Sequence, residues 1–336
     1  MTTNIIFTED FNNHNNPGHP ENAARLNTMM QELEEAPFYN ELKIVKPEIL
    51  SEKILYEVHN QRMINQIKDM SSTDESSWID LDTYVCPKDY ETARLAAGAV
   101  LQACTQVLLG EAENAYALVR PPGHHATRER SMGFCLFNNA AIAAYEIAKQ
   151  GKKILIMDFD VHHGNGTQDI FYDRKDVMYQ SFHLSPHYPG TGDIPDVGEG
   201  IGEGYTINAP LSYGNGVKSV TKILDEIFLP VAKQFKPDLI IFSAGYDSHH
   251  QDPLGGLRLI TNFYGEIIKK YQEIQPKIVC TPEGGYNLKW IGKCLVSQIA
   301  QMSGNSINIK DTVKEEENIR QTLVKIKDEI GKYWKI

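Results

Sequence analysis

Residues 152–167, KKILIMDFDVHHGNGT, constrain the fold more than any other stretch of this chain. Ile154, Leu155, Ile156 and Met157 form an unbroken apolar run without a helical stripe. A strand covered by helices on both faces reads this way, which predicts a parallel sheet in an α/β domain. At the end of the run the composition turns to Asp158, Asp160, His162, His163 and Asn165, with glycines between them. Ligands bind at the carboxyl ends of strands in open α/β sheets. In extended backbone Asp158, Asp160 and His162 would leave one face together. Carboxylates beside an imidazole suit a divalent metal. A solvated His-rich loop is the alternative, but buried strands rarely end in so many ionisable groups without a task for them.

The remaining chain alternates in the same style. Strands are expected near 5–8, 42–45, 115–119, 154–157, 176–182, 206–209, 239–243 and 278–281. Helices are expected over 20–33, 51–70 (capped by Ser51), 90–109, 138–150, 217–235, 262–275, 288–302 and 311–332. Asn22 or Glu21 would serve the dipole of the first helix. Residues 71–77 read as a polar loop, and 183–204 as a long Gly/Pro loop of functional type. No internal repeat or Pro/Ser-rich linker interrupts residues 1–336, so one domain is expected.

A net charge of −11 argues against nucleic-acid binding through a basic surface and mildly favours a cationic substrate. The five cysteines are odd in number and lack a CxxC pair, as expected of reduced thiols. The N-terminus has no basic region followed by an apolar one, and no run approaches the length of a membrane span. A soluble cytoplasmic protein, touching neither membrane nor nucleic acid, is the expectation.

Four expected strand ends carry polar clusters: His124 with His125, Asp158 with Asp160 and His162, Asp247, and Tyr286. Parallel strands would bring all four to one edge of the sheet. Two carboxylates and an imidazole can hold a metal while leaving a position open. Paired imidazoles can move protons near neutral pH, and a tyrosine hydroxyl can meet a developing oxyanion. Each cluster alone has a structural alternative: a capped turn for the histidines, a loop cap for Asp247, a packing role for Tyr286. Cys135 and Ser243 lack the elbow or paired base of a covalent nucleophile.

The ordered motifs RPPGHHA (120–126), GFCLFNN (133–139), DFDVHHGNGTQ (158–168), PGTGD (189–193), SAGYDSHHQDPLGG (243–256) and PEGGYNL (282–288) resemble the zinc-dependent histone deacetylase family. That family includes the acetylpolyamine and acetoin-utilisation proteins, and the likeness spans about residues 15–300. It implies a three-layer arginase-like α/β fold with a mostly parallel central sheet of about eight strands. It also implies one zinc per chain on Asp160, His162 and Asp247, with ferrous iron as the alternative metal. His124 and His125 would be the tandem catalytic histidines, Tyr286 the transition-state hydroxyl, and Asp158 the partner of His124. Asn165, where several members carry aspartate behind the second histidine, resembles the class II branch, as do Glu283 and Leu254. Gly133, Phe134 and Tyr188 would wall an acyl-lysine tunnel, with Asp82 at its rim. The resemblance also implies potassium sites, one on Asp158, Asp160, His162, Ser181 and Phe182, the other on Phe171, Arg174, Val177 and Tyr205.

The resemblance leads to hydrolysis of ε-acetyl-lysine in proteins or peptides, with His125 as base and a charged His124 beside it. Two other functions compete. One is the same hydrolysis on small acetylated amines such as polyamines, although Leu254 stands where an acidic gate would favour them. The other is a non-catalytic acyl-lysine binding protein, disfavoured by retention of every catalytic group. A homo-oligomer is compatible with either enzyme.

Overall fold

The protein is described by a computed structural model covering residues 2–316 and 318–336. Ten strands occur along the described chain: β1 (Thr3–Ile6), β2 (Lys43–Val45), β3 (Ser77–Trp78), β4 (Tyr84–Val85), β5 (Asn114–Ala117), β6 (Ile154–Asp158), β7 (Val177–Leu184), β8 (Thr206–Leu211), β9 (Leu239–Ala244) and β10 (Ile278–Pro282). Eight of them form one sheet in the order β2-β1-β5-β10-β9-β6-β7-β8, every pair parallel. Strands β5, β10, β9 and β6, whose ends carry the four polar clusters, are therefore consecutive neighbours. Asp158 pairs with Ser243 in the β6–β9 ladder, and Ser243 with Thr281 in the β9–β10 ladder, so these ends lie level.

The apolar run of the organising stretch is fully buried, as a central parallel strand requires. Helices α1 (Ala23–Glu34), α2 (Glu52–Val58), α3 (Gln61–Ser71), α4 (Asp89–Leu109), α5 (Asn139–Ala148), α6 (Asn165–Phe171), α7 (Val217–Ile223), α8 (Leu229–Phe235), α9 (Thr261–Gln272), α10 (Ile291–Met302) and α11 (Arg320–Ile330) surround the sheet. The Ala-rich α4 and α5 pack on one another and on the central strands, their small side chains permitting close approach. Helix α4 is long and apolar enough to cross a membrane by composition alone, yet Ala96, Ala97, Val100 and Ala103 are buried in the core. Helices α9, α10 and α1 pack together, and Tyr271 of α9 donates to Gln180 of β7. This is the helix-flanked, arginase-like parallel architecture.

Several sequence expectations need correction. The helix expected over 51–70 is two helices, because His59 is extended and its buried ring is spent elsewhere. Its Nδ1 lies 2.7 Å from Thr127 O and its Nε2 accepts from Asn138 N at 3.0 Å, while Asn60 caps α3. Ser51 makes no side-chain cap bond. Asn22 caps α1, whereas Glu21 is fully buried in an ion-pair network rather than serving the dipole. The polar loop expected over 71–77 ends by contributing Ser77 to the β3–β4 hairpin. The helix over 217–235 is continuous but contains a π turn at Leu224–Phe228, just before Pro230, whose ring and missing N–H disfavour regular α pairing. The terminal helix begins at Arg320, and residues 311–315 run non-helically; residue 317 lies outside the described residues. All five cysteines are buried free thiols.

Candidate active site at the carboxyl edge of the sheet

Strand β6 stops at Asp158, so Asp160 and His162 do not share a face of extended backbone. A tight bend joins them: Asp160 Oδ1 accepts the His162 main-chain N–H at 2.8 Å and faces His162 Nδ1 at 3.0 Å. Asp247, in the loop after β9, reaches the same point, its Oδ2 lying 3.2 Å from His162 Nδ1. The other oxygen of Asp247 accepts Val161 N at 2.9 Å, whereas its buried Oδ2 takes no hydrogen bond. Burial and the neighbouring Asp160 raise Asp247 to about 7, while Asp160, more strongly supported by its imidazole neighbours, is lowered. An orphaned buried carboxylate oxygen, a second carboxylate and an imidazole converging on one point fit a divalent cation, which would relieve their repulsion.

Gly284 closes this pocket from β10, donating its N–H to Asp160 Oδ2 at 2.7 Å. A Cβ at Gly284 would drive into Asp247 Oδ2 and Asp160 Oδ2. Gly284→Ala is therefore expected to cut bound divalent metal below half of the wild-type content, measured by elemental analysis of the purified folded chain.

The tandem histidines follow β5 and are buried, their ring centroids 4.0 Å apart. His124 Nδ1 lies 3.0 Å from Asp158 Oδ2, an oxygen that also accepts the Tyr179 hydroxyl. Burial opposes a charge on His124, but the Asp158 and Asp160 carboxylates outweigh it and raise it to about 10. His125 Nδ1 lies 2.7 Å from Asn165 Oδ1 at the start of α6. Burial, with the adjacent charged His124, pushes His125 well below the usual imidazole range. The surroundings thus favour the charged form of one ring and the neutral form of the other. Since an amide oxygen only accepts, Nδ1 of His125 carries the proton and Nε2 keeps its lone pair.

Tyr286 is placed by its backbone: its N–H and that of Asn287 donate to Asp252 Oδ2 at 2.6 and 3.0 Å. Arg25 grips the preceding turn, its Nε donating to Gly285 O at 2.6 Å and its guanidinium lying 5.0 Å from the Tyr286 ring centroid. A cavity of about 220 Å³ opens from this floor to the surface. Gly133, Phe134, Tyr188 and Leu254 line it, with Asp82 at the margin. Phe134 has φ of 70°, a left-handed conformation costly for a bulky residue, and its ring meets Tyr286 edge-on at 5.8 Å. Tyr188 meets His125 edge-on at 5.1 Å. Asp82 is held by its carbonyl, which accepts His19 Nε2 at 3.0 Å.

The structural roles of several residues around the site carried no sequence signal. Glu283 Oε2 accepts Gly123 N and His124 N, and its Oε1 accepts Ser243 Oγ at 2.9 Å, locking three strand ends together. Arg25 and Arg120 both pair with the buried Glu21. Stripping a partner from such a buried pair costs about 3–5 kcal/mol, so this group fixes the frame behind the site. His187 stacks on His162 at 4.8 Å and its Nε2 lies 3.1 Å from Leu254 O. The thiol of Cys135 is pushed far up by burial, and Ser243 is occupied with Glu283, so neither is an activated nucleophile.

Among the residues tied to potassium, Asp158 and Ser181 are ladder partners between β6 and β7, with Phe182 next in the strand. Phe171 ends α6, its carbonyl accepts Arg174 N, and the Tyr205 carbonyl accepts Tyr179 N. Arg174 pairs with Asp176 through its side chain.

An eight-stranded parallel sheet with paired histidines and a carboxylate–imidazole triad that fits a divalent cation at its carboxyl edge points to an arginase-like deacetylase class, and the comparisons agree. The histone deacetylase domain pattern matches residues 19–302. A probable deacetylase of Archaeoglobus fulgidus is 37% identical, over 100% of this chain and 99% of that protein. Histone deacetylase 18 of Arabidopsis thaliana is 34% identical over 98% of this chain, which spans 52% of its length. A crystal structure of the HDA15 HD domain superposes with a TM-score of 0.93 at 34% identity, covering 99% of this chain and 95% of that one. The chain belongs to the histone deacetylase family.

Proposed function

We propose that this deacetylase hydrolyses the acetyl amide of ε-acetyl-lysine in proteins or peptides and depends on a divalent metal, zinc by the donor set and ferrous iron as the alternative. The observation that carries the reading is the cavity: it is lined by Phe134 and Tyr188 and also meets His162 of the triad, His125 and Tyr286. An extended lysine stem would run past Phe134 and Tyr188, which both line the cavity, and leave the backbone of a peptide near Asp82. Leu254 at the mouth offers no charge to a polyamine.

A metal on Asp160, His162 and Asp247 would supply Lewis acidity to the amide carbonyl and the attacking water. His125 Nε2 accepts the proton of that water as its oxygen adds to the carbonyl carbon. The proton passes to the amine nitrogen as the C–N bond breaks, leaving acetate and free lysine. The charged His124 stabilises the negative charge that develops. The Tyr286 hydroxyl donates to the oxyanion, a contribution of about 3 kcal/mol by the measure of oxyanion-hole donors.

The test compares kcat/KM for an acetyl-lysine peptide with that for N-acetylputrescine and N-acetylspermidine on the metal-loaded enzyme. The peptide is expected to win by about a hundredfold, the spread that a wrong tunnel mouth imposes on positioning. Preference for an acetylated polyamine would overturn the reading.

A further inference from the structure

The loop that joins Asp247 to Asp252 carries His249 and His250, and both rings point away from the cavity toward a segment beyond the family domain. That segment is fastened on both sides. Asn262 exchanges hydrogen bonds with Ile309, and Glu316 N donates to Gly214 O. Between these anchors lies Asp311, whose side chain is only 3% exposed. Its carboxylate receives four hydrogen bonds: His249 Nε2 at 2.8 Å, His250 Nε2 at 2.6 Å, and Thr261 N and Oγ1 at 2.9 Å each.

Two histidines and a carboxylate also have the makings of a metal site, but the protons are all accounted for without one. His249 Nδ1 accepts Gln251 N, and His250 Nδ1 faces the Gln251 side-chain amide. Each Nε2 therefore carries the proton it gives to Asp311. No atom of this group is orphaned, in contrast to Asp247 Oδ2. The cluster is a saturated clamp. The indole of Trp290, close after Tyr286 in the chain, stacks on the His249 ring at 5.0 Å and 29°.

What the clamp holds is the support of Tyr286. Three residues past His249, Asp252 accepts the Tyr286 and Asn287 amides, while Asn287 Nδ2 donates to Gln251 O at 2.6 Å. We propose that Asp311 is a positioning residue for Tyr286: by clamping His249 and His250 it fixes the loop whose Asp252 sets the height and direction of the Tyr286 backbone. This rests on the role given to Tyr286 above. The segment from 305 to 316, outside the matched family domain, then becomes part of the catalytic apparatus.

The experiment is a double-mutant cycle on the full metal-loaded chain, using Asp311→Ala, Tyr286→Phe and both together on one acetyl-lysine peptide. Asp311→Ala is expected to lower kcat by about tenfold, within the loss that a sub-ångström misplacement can cause, with KM changed less than about twofold. Bound metal per chain is expected to stay at the wild-type value. In the Tyr286→Phe background the same substitution is expected to change kcat by less than about twofold, because contacts acting through one group are not additive. Equal losses in both backgrounds, a loss carried by KM, or a loss of metal would overturn the proposal. A Tyr286→Phe variant with wild-type kcat would instead remove the hydroxyl's assigned role, and the inference with it. Should Asp311→Ala fail to fold, Asp311→Asn keeps the shape but turns an N–H toward one histidine. It is expected to show a smaller kcat loss with the same dependence on Tyr286, and additivity there overturns the proposal as well.

Discussion

Asp247→Ala is expected to remove nearly all turnover and strip the site of its metal. The argument is one of ligand count. Asp247 arrives from β9, whereas Asp160 and His162 share one bend after β6, so its loss leaves two donors from a single short segment. Two donors hold a divalent ion poorly, and the second strand end can no longer close around it. The lost electrophilic stabilisation amounts to several kcal/mol, or about a thousandfold in kcat/KM. Elemental analysis after dialysis decides the matter independently of activity. Metal content near that of the wild type would refute the ligand assignment. The apo forms differ in a second, opposite sense. Asp160 and Asp247 repel when no cation separates them, and Asp247 sits near 7 for that reason and for its burial. Removing one of the pair relieves that strain, so the apo variant is expected to melt no lower than the apo wild type.

The convergence of Asp160, His162 and Asp247 beside the paired histidines was legible in the sequence because each follows an apolar strand within a few residues, and parallel strands all end on the same edge. What the pattern could not show is which distant groups hold those ends in place. Arg25 lies 260 residues from Gly285, whose carbonyl it binds, and as a helical arginine it reads as solvent-facing. Glu21 reads as a dipole partner at a helix start, yet two arginines meet it in the interior. Asp311 sits in a charged stretch whose periodicity suits a helix, but its four bonds to the loop after β9 and to the α9 start outweigh that local preference. The bend at His59 has the same origin, a ring committed to two backbone groups of the β5–α5 connection. In each case a buried polar group must be satisfied, and a partner far along the chain satisfies it.

The tandem histidines carry the other large effect. His125 faces an amide and His124 a carboxylate; with burial and the charge of His124 acting on His125, and Asp158 and Asp160 acting on His124, the surroundings favour a neutral base beside a cation. His125→Ala is expected to lose about 10³-fold in kcat, in the range of a positioned general base, while His124→Ala retains more activity because it removes only a stationary charge. Asn165→Asp tests why. It places an anion 2.7 Å from His125 Nδ1, where the wild type has a neutral oxygen. Burial and the charged His124 lower His125 in the wild type, and the new carboxylate opposes both. The folded-state pKa of His125 therefore rises. Because the base works only when neutral, the acidic limb of kcat/KM against pH moves to higher pH, and activity at the acid end falls. At pH values above the new pKa the two enzymes should converge. An acidic limb that stays in place, or moves to lower pH, would mean that Asn165 does not set the state of the base.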